Sequence, residues 1–140
     1  MSDKISISLR LFSQTIGSDV MLATIGLEAS VTWNKGDIRH TPKGRALEGV
    51  YDQSFAVFPL LKNDDGWLSE SIVECINRLK HARDFFARIK GTGGRAELFV
   101  GWFLSQGGGD TLSSALLLEV SSLGLDLSFD VYPADASGKL

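Results

Sequence analysis

Leu68-Ser69-Glu70-Ser71-Ile72-Val73-Glu74-Cys75-Ile76-Asn77-Arg78-Leu79-Lys80-His81-Ala82-Arg83-Asp84-Phe85-Phe86-Ala87-Arg88-Ile89-Lys90 is the stretch whose reading decides the fold class. Wound at the helical 100° per residue, Leu68, Ile72, Cys75, Ile76, Leu79, Ala82, Phe86 and Ile89 share one arc of about 140°. The opposite face carries Glu70, Glu74, Asn77, Lys80, His81, Asp84 and Arg88. One side is therefore core and the other solvent, which predicts a helix over Leu68–Lys90. Ser71 with Glu74 has capping-box spacing, and Ser69 is an equally good N-cap. Arg83 is the one charge set within the apolar arc between Leu79 and Phe86. Its stem is expected along apolar surface, with its guanidinium either on a carboxylate or carbonyl or simply reaching water.

Working outward from that helix, the chain alternates. Ile5, Ile7, Leu9 and Leu11 alternate with Ser6, Ser8 and Arg10, the period of a half-buried strand. A short helix, Val20–Ile25, capped by Ser18 or Asp19, stops at Gly26. Val31–Trp33 is briefly extended and leads into a polar stretch, Asn34 to Glu48, whose glycines, proline and charges read as loop. Tyr51–Phe58 reads as a strand closed by Pro59. After the long helix, Gly91-Thr92-Gly93-Gly94 is a stop, and Ala96, Leu98, Val100, Trp102 and Leu104 alternate along a strand. Its other face holds Glu97, Phe99 and Phe103, so cover is expected on both sides, from the same chain or a second subunit. Asp110 or Thr111 then caps a helix through Leu112, Leu116, Val120 and Leu123. Leu125, Leu127, Phe129 and Val131 close the chain as a strand. The expected fold is α+β: a single mostly antiparallel sheet with helices packed on it, in ferredoxin-like βαββαβ order with an appended αβ. Residues 1–132 form the one domain, and 133–140 a small mobile tail.

Composition sets the outer limits. A chain of 140 residues, 44% hydrophobic and 22% charged, is a single globular domain by size and balance. The longest apolar stretch, Leu98–Leu104 interrupted by Gly101, is seven residues, against the roughly 18 of a membrane helix. The N-terminus has no continuous apolar core of a secretory signal, and Cys75 is the lone cysteine, so the cytoplasm is expected. A net charge of −3 argues against nucleic acid as a partner.

In its order of short motifs the chain resembles a bacterial family known only as a domain of unknown function, number four-two-seven-nine. The likeness rests on Leu9-Arg10-Leu11-Phe12, on Ile25-Gly26-Leu27-Glu28-Ala29-Ser30, and on Trp33-Asn34-Lys35-Gly36-Asp37. Leu123-Gly124-Leu125 through Asp130-Val131-Tyr132 completes it. In the family a tryptophan strand usually leads into the long helix; here Tyr51–Phe58 takes that place and Trp67 sits beside the cap. The resemblance implies a small α+β protein and supplies no active site.

Candidate chemistry is sparse. Gly91-Thr92-Gly93-Gly94-Arg95-Ala96 has dinucleotide-loop spacing, but it follows a helix and opens a strand, the reverse of the required order. Gly107–Gly109 has the polarity of an anion site, with Asp110 opposed to it. His40 and His81 are expected in solvent and Cys75 in the core, where a thiol is inert. No catalytic constellation, metal site or cofactor is therefore expected. Asp126 and Asp130 share a strand face and could meet Glu97 or Asp37; solvation explains the same pattern. The segment Trp33–Tyr51 combines an aromatic, a Lys-Gly-Asp turn and basic residues in a long connection. The expected binding residues are Trp33, Lys35, Asp37 and Arg39. The first reading is a non-catalytic binding or protein-interaction domain, of the kind that immunity proteins of bacterial toxin systems represent, with a protein partner or a homodimer. The alternatives are a small-molecule binder or enzyme with a pocket between the sheet and the 34–50 loop, using Asp37, Arg39 and Asp130, and nucleic-acid binding through the basic loop.

Overall fold

Strand β1 (Lys4–Ser13) buries every second residue, Ile5 through Ser13, as its alternation requires. It is the middle of a five-stranded sheet ordered β2-β5-β1-β6-β7, with β2 at Val31–Trp33, β5 at Ser54–Asp64, β6 at Arg95–Leu104 and β7 at Leu125–Pro133. All neighbours are antiparallel except β6 and β7, which run parallel. The computed structural model describes residues 3–105 and 108–133. The first four sheet strands in this order are the ferredoxin-like arrangement, and β7 is the appended strand. The expected tail falls, from residue 134 on, outside the described residues; Pro133 itself ends β7.

Helix α1 (Ser18–Ile25) ends on Gly26, whose φ of +71° is the left-handed conformation that glycine adopts without strain. The long helix is broken. It runs as α2 (Leu68–Leu79), a 3₁₀ turn (Lys80–Ala82) and α3 (Arg83–Gly91). No Pro or Gly interrupts the sequence there. The 3₁₀ turn packs on α1, and His81 Nε2 donates to the Ile25 carbonyl at 3.0 Å. Because a 3₁₀ turn winds about 120° per residue, three residues advance the face by about 60° over an α-helix. Phe85 is thereby buried beside Phe86, and Arg83 is carried out of the apolar arc into solvent. Arg83 has no ion pair among the described residues. All eight residues of the expected arc are buried.

Two further expectations are corrected by the structure. The stretch after Asn34 is not loop but a hairpin of β3 (Ile38–His40) and β4 (Ala46–Val50), a second, two-stranded sheet. Pro59 does not close its strand: β5 continues to Asp64. Between Ile7 and Ser8 the pairing with β5 slips, so that Ser8 faces Pro59 and Ile7 faces Leu61. A bulge is where a proline is tolerated inside a sheet. Arg78 donates to the carbonyl of Leu60, at the slip, at 2.5 Å.

The helix caps differ as well. Helix α2 has Trp67 at its N-cap, and the cap oxygen comes from far along the chain: Asp110 Oδ2 accepts from the Ser69 N–H at 2.8 Å. Helix α4 (Ser114–Ser122) is capped by Ser113, whose hydroxyl accepts from the Leu116 N–H. Gly108 and Gly109 therefore do not open onto α4, and Gly107 lies outside the described residues. Gly91–Gly94 is a helix end: the Gly94 N–H donates to the Ile89 carbonyl, and a Cβ at Gly94 would lie 2.4 Å from the Phe12 carbonyl oxygen. Only glycine lets β6 begin so close to β1.

All the helices lie on one side. Ile5, Ile7, Leu9 and Leu11 of β1 share a single core with Met21 and Ile25 of α1, Ile72 and Ile76 of α2, Phe86 and Ile89 of α3, and Leu116 and Val120 of α4. The other face of the sheet has no helix over it among the described residues. Where Phe99 and Phe103 emerge on that face, cover comes from neighbouring side chains: the Arg10 guanidinium lies 4.0 Å over Phe99, and Tyr132 stacks on Phe103 at 4.8 Å.

Candidate binding cleft

The open face carries a row of rings that crosses the strands. Trp33 of β2 and Phe55 of β5 are register partners, as are Phe55 and Phe12 of β1. Tyr51 stacks on Trp33 at 4.1 Å and 8°, Trp33 leans on Phe55 at 4.5 Å, Phe55 on Phe12 at 4.8 Å, and the Arg95 guanidinium covers Phe12 at 3.9 Å. Cross-strand aromatic and cation–π contacts of this kind each add about 0.5–1 kcal/mol to an exposed sheet face.

At the β2 end of the row the hairpin rises from the sheet. Its base is tied by backbone bonds: the Gly36 N–H donates to the Tyr51 carbonyl at 2.8 Å, and the Tyr51 N–H to the Asp37 carbonyl at 3.0 Å. Asp37 Oδ2 accepts from the Asn34 N–H, and Asn34 Oδ1 accepts from the Ser18 N–H, so the same turn also holds the start of α1. Beyond Thr41, which is half-buried, every residue to Val50 is exposed. Between this arm and the sheet lies a cleft of about 1020 Å³, walled by Val31, Trp33 and Phe55 on the sheet side and by Ile38, His40 and Pro42 on the hairpin side. Asp37, Thr41 and Tyr51 complete its lining.

Of the four expected binding residues, the structure brings Trp33 and Asp37 into this cleft. Lys35 and Arg39 are exposed and do not line it; the Lys35 N–H donates to the Ser54 hydroxyl. Trp33 is half-buried and in ring contact with Tyr51 and Phe55, so it both lines the cleft and anchors the hairpin. Its indole N–H is buried with no acceptor among the described residues. Ile38, His40, Val31 and Phe55 line the cleft without being among the expected binding residues. The alternation of Val31 with Trp33 was the available signal for one wall; nothing local foretold that the hairpin supplies the other.

Asp126 stands beside Glu97 as its register partner, but no wider carboxylate cluster assembles among the described residues. Glu97, 4% exposed, accepts from Arg10 Nε at 2.7 Å and from the Ser128 hydroxyl at 2.9 Å, with Arg95 at 3.8 Å. It is a satisfied cross-strand pair, neutralised where it is buried. Asp130 accepts from the Tyr132 hydroxyl at 2.8 Å, a bond that holds the tyrosine proton and pushes that phenol's pKa up. Asp37 stands by β2 and Asp130 on β7, at opposite edges of the sheet. No group of three His, Cys, Asp or Glu among the described residues is placed to hold a metal ion. No helix among them is long and apolar enough to cross a membrane.

A family model described as a domain of unknown function, DUF4279, matches residues 3–134, nearly the whole chain. The chain belongs to that family. No curated protein and no solved structure matches it.

Proposed function

We propose that this DUF4279 domain is a non-catalytic binding domain whose ligand or partner seats in the cleft between the open sheet face and the β3–β4 hairpin. The observation that carries this reading is the cleft itself, about 1020 Å³ of concave space with apolar walls and Asp37, His40 and Thr41 as polar groups. Binding pockets typically run to about 300–1,000 Å³ and combine such walls with a few polar groups. Ile38, 57% exposed on the arm, is apolar surface that a bound group would cover. Lys35, Arg39, Lys43 and Arg45 flank the arm and favour an acidic or polar-anionic partner approaching it.

Amide chemical-shift mapping with a fragment set of aromatic and carboxylate compounds tests the site. The expected result is perturbation concentrated at Trp33, Asp37, Ile38, His40 and Tyr51. Fragments that bind only elsewhere, or not at all, refute it. The narrower reading, an immunity-type partner of a bacterial toxin, is supported by small size, acidity and the unassembled carboxylates. Protection of cells from the product of an adjacent gene is its test.

A further inference from the structure

We propose that β7 is a homodimerisation edge: it pairs antiparallel with β7 of a second copy about a two-fold axis at Phe129. Strand β7 is the last of the sheet, with β6 on one side and no strand on the other among the described residues. Its nine residues pair with β6 without a register shift, so its outer edge is straight and its peptide groups face outward in regular alternation. An exposed edge of this length ordinarily carries lysine, proline or a bulge to prevent pairing. Here proline stands only at the last position, no lysine or bulge is present, and the edge's only charges are Asp126 and Asp130.

The apolar surface of the edge complements itself. Leu125, Leu127, Phe129 and Val131 share the helix-side face; Phe129 is 41% and Val131 52% exposed. At the start of β7 lies a hollow of about 250 Å³, lined in part by Leu117 and Val120 of α4 with Leu125 and Leu127. The hollow and the projecting Val131 thus lie on either side of Phe129 on the same face. A two-fold axis at Phe129 exchanges them: Val131 of each copy comes opposite Leu127 of the other, beside the hollow. This is the self-complementary arrangement that a two-fold interface requires.

Charge and length of overlap together select the same register. With the axis at Phe129, all nine residues overlap, Asp126 comes opposite Tyr132 and Asp130 opposite Ser128, so no two carboxylates face each other. Moving the axis one residue back, to Ser128, places Asp126 against Asp130; moving it one forward, to Asp130, places that aspartate against itself. Like charges directly opposite are destabilising in a sheet. The proposal does not rest on the cleft, which lies at the far edge by β2.

Sedimentation equilibrium of the full chain across the micromolar range tests it. The expected result is a species of twice the 15.2 kDa chain mass. Phe129→Lys buries an unpaired charge at the axis and is expected to weaken association by at least about ten-fold. Phe129→Cys adds a residue that meets its own copy at the Cα separation of directly opposed strand residues, about 4.5–5.5 Å, within disulfide range. That variant is expected to cross-link under mild oxidation, while Leu118→Cys, 67% exposed on α4, does not. Should the lysine variant fail to fold, the cysteine pair decides. A wild-type chain that stays monomeric, a dimer indifferent to Phe129→Lys, or a Phe129→Cys that stays reduced overturns the proposal.

Discussion

Cys75 shows how position decides the chemistry of a single residue. It is wholly buried between α2 and the sheet, and desolvation pushes its thiol from 9.0 up to about 12. Burial disfavours the thiolate, so the group is a small hydrophobe and no nucleophile. A native-state thiol reagent should label it only at the rate at which the protein opens; fast labelling without unfolding would contradict the burial. The raised value also has a sign. Stability owed to the neutral thiol is complete below pH 9.0, where the unfolded thiol ionises, and drains away as pH rises toward 12. By one unit above the unfolded value, wild type should lose about 1 kcal/mol relative to Cys75→Ala, measured as a difference of denaturation curves. The cavity left by the alanine costs the same at every pH and cancels.

Among the elements, α2 is held by groups remote in sequence. Its own N-cap side chain, Trp67, offers no acceptor, and Asp110 supplies one to Ser69 from the segment before α4. The Ser69 N–H holds the Asp110 carboxyl below its ordinary value of 3.8. A lowered pKa stabilises the fold above that value, and the effect is lost as pH falls through the lowered one. Asp110→Ala should therefore cost about 0.5–1 kcal/mol at neutral pH, as cap losses do, and the difference from wild type should close in strong acid. Equal costs at both pH values would show that the carboxylate is not the cap. The side chain of Arg78, spaced for a pair with Glu74, serves instead the Leu60 carbonyl beside the β1–β5 slip. Local pairing rules give way where a backbone acceptor in the sheet is within reach.

At the scale of the whole molecule the two faces of the sheet have different work. The helix side is the core. The open side is a shallow aromatic surface ended by the hairpin, whose hold on the sheet is the Trp33–Tyr51 stack and the backbone bonds at its base. Tyr51→Ala should loosen the arm and spare the sheet. Its expected cost is about 0.5–1.5 kcal/mol beyond lost area, the worth of one aromatic pair. Hydrogen exchange reads the distinction directly: amides at Thr41 and Arg45 should exchange faster while those of β1 and β6 stay protected. Uniform acceleration would mean that the hairpin and the sheet open together.

The amino-acid order by itself determined the alternation of β1, β6 and β7, the buried arc from Leu68 to Ile89, and the end of α1 at Gly26, because periodicity and glycine conformation are local properties. It also placed Trp33 and Asp37 in a segment worth attention. The tertiary structure alone decided the break at Lys80–Ala82, which follows from packing on α1, and the passage of β5 through Pro59, which follows from a slip in its partner's register. It alone decided that the polar stretch after Asn34 folds back as a hairpin. Short exposed strands bury too little to leave a hydrophobic pattern, so only their pairing partners define them. The cleft is a product of that pairing: one wall is written in an alternating strand, and the other exists only once the arm stands against the sheet.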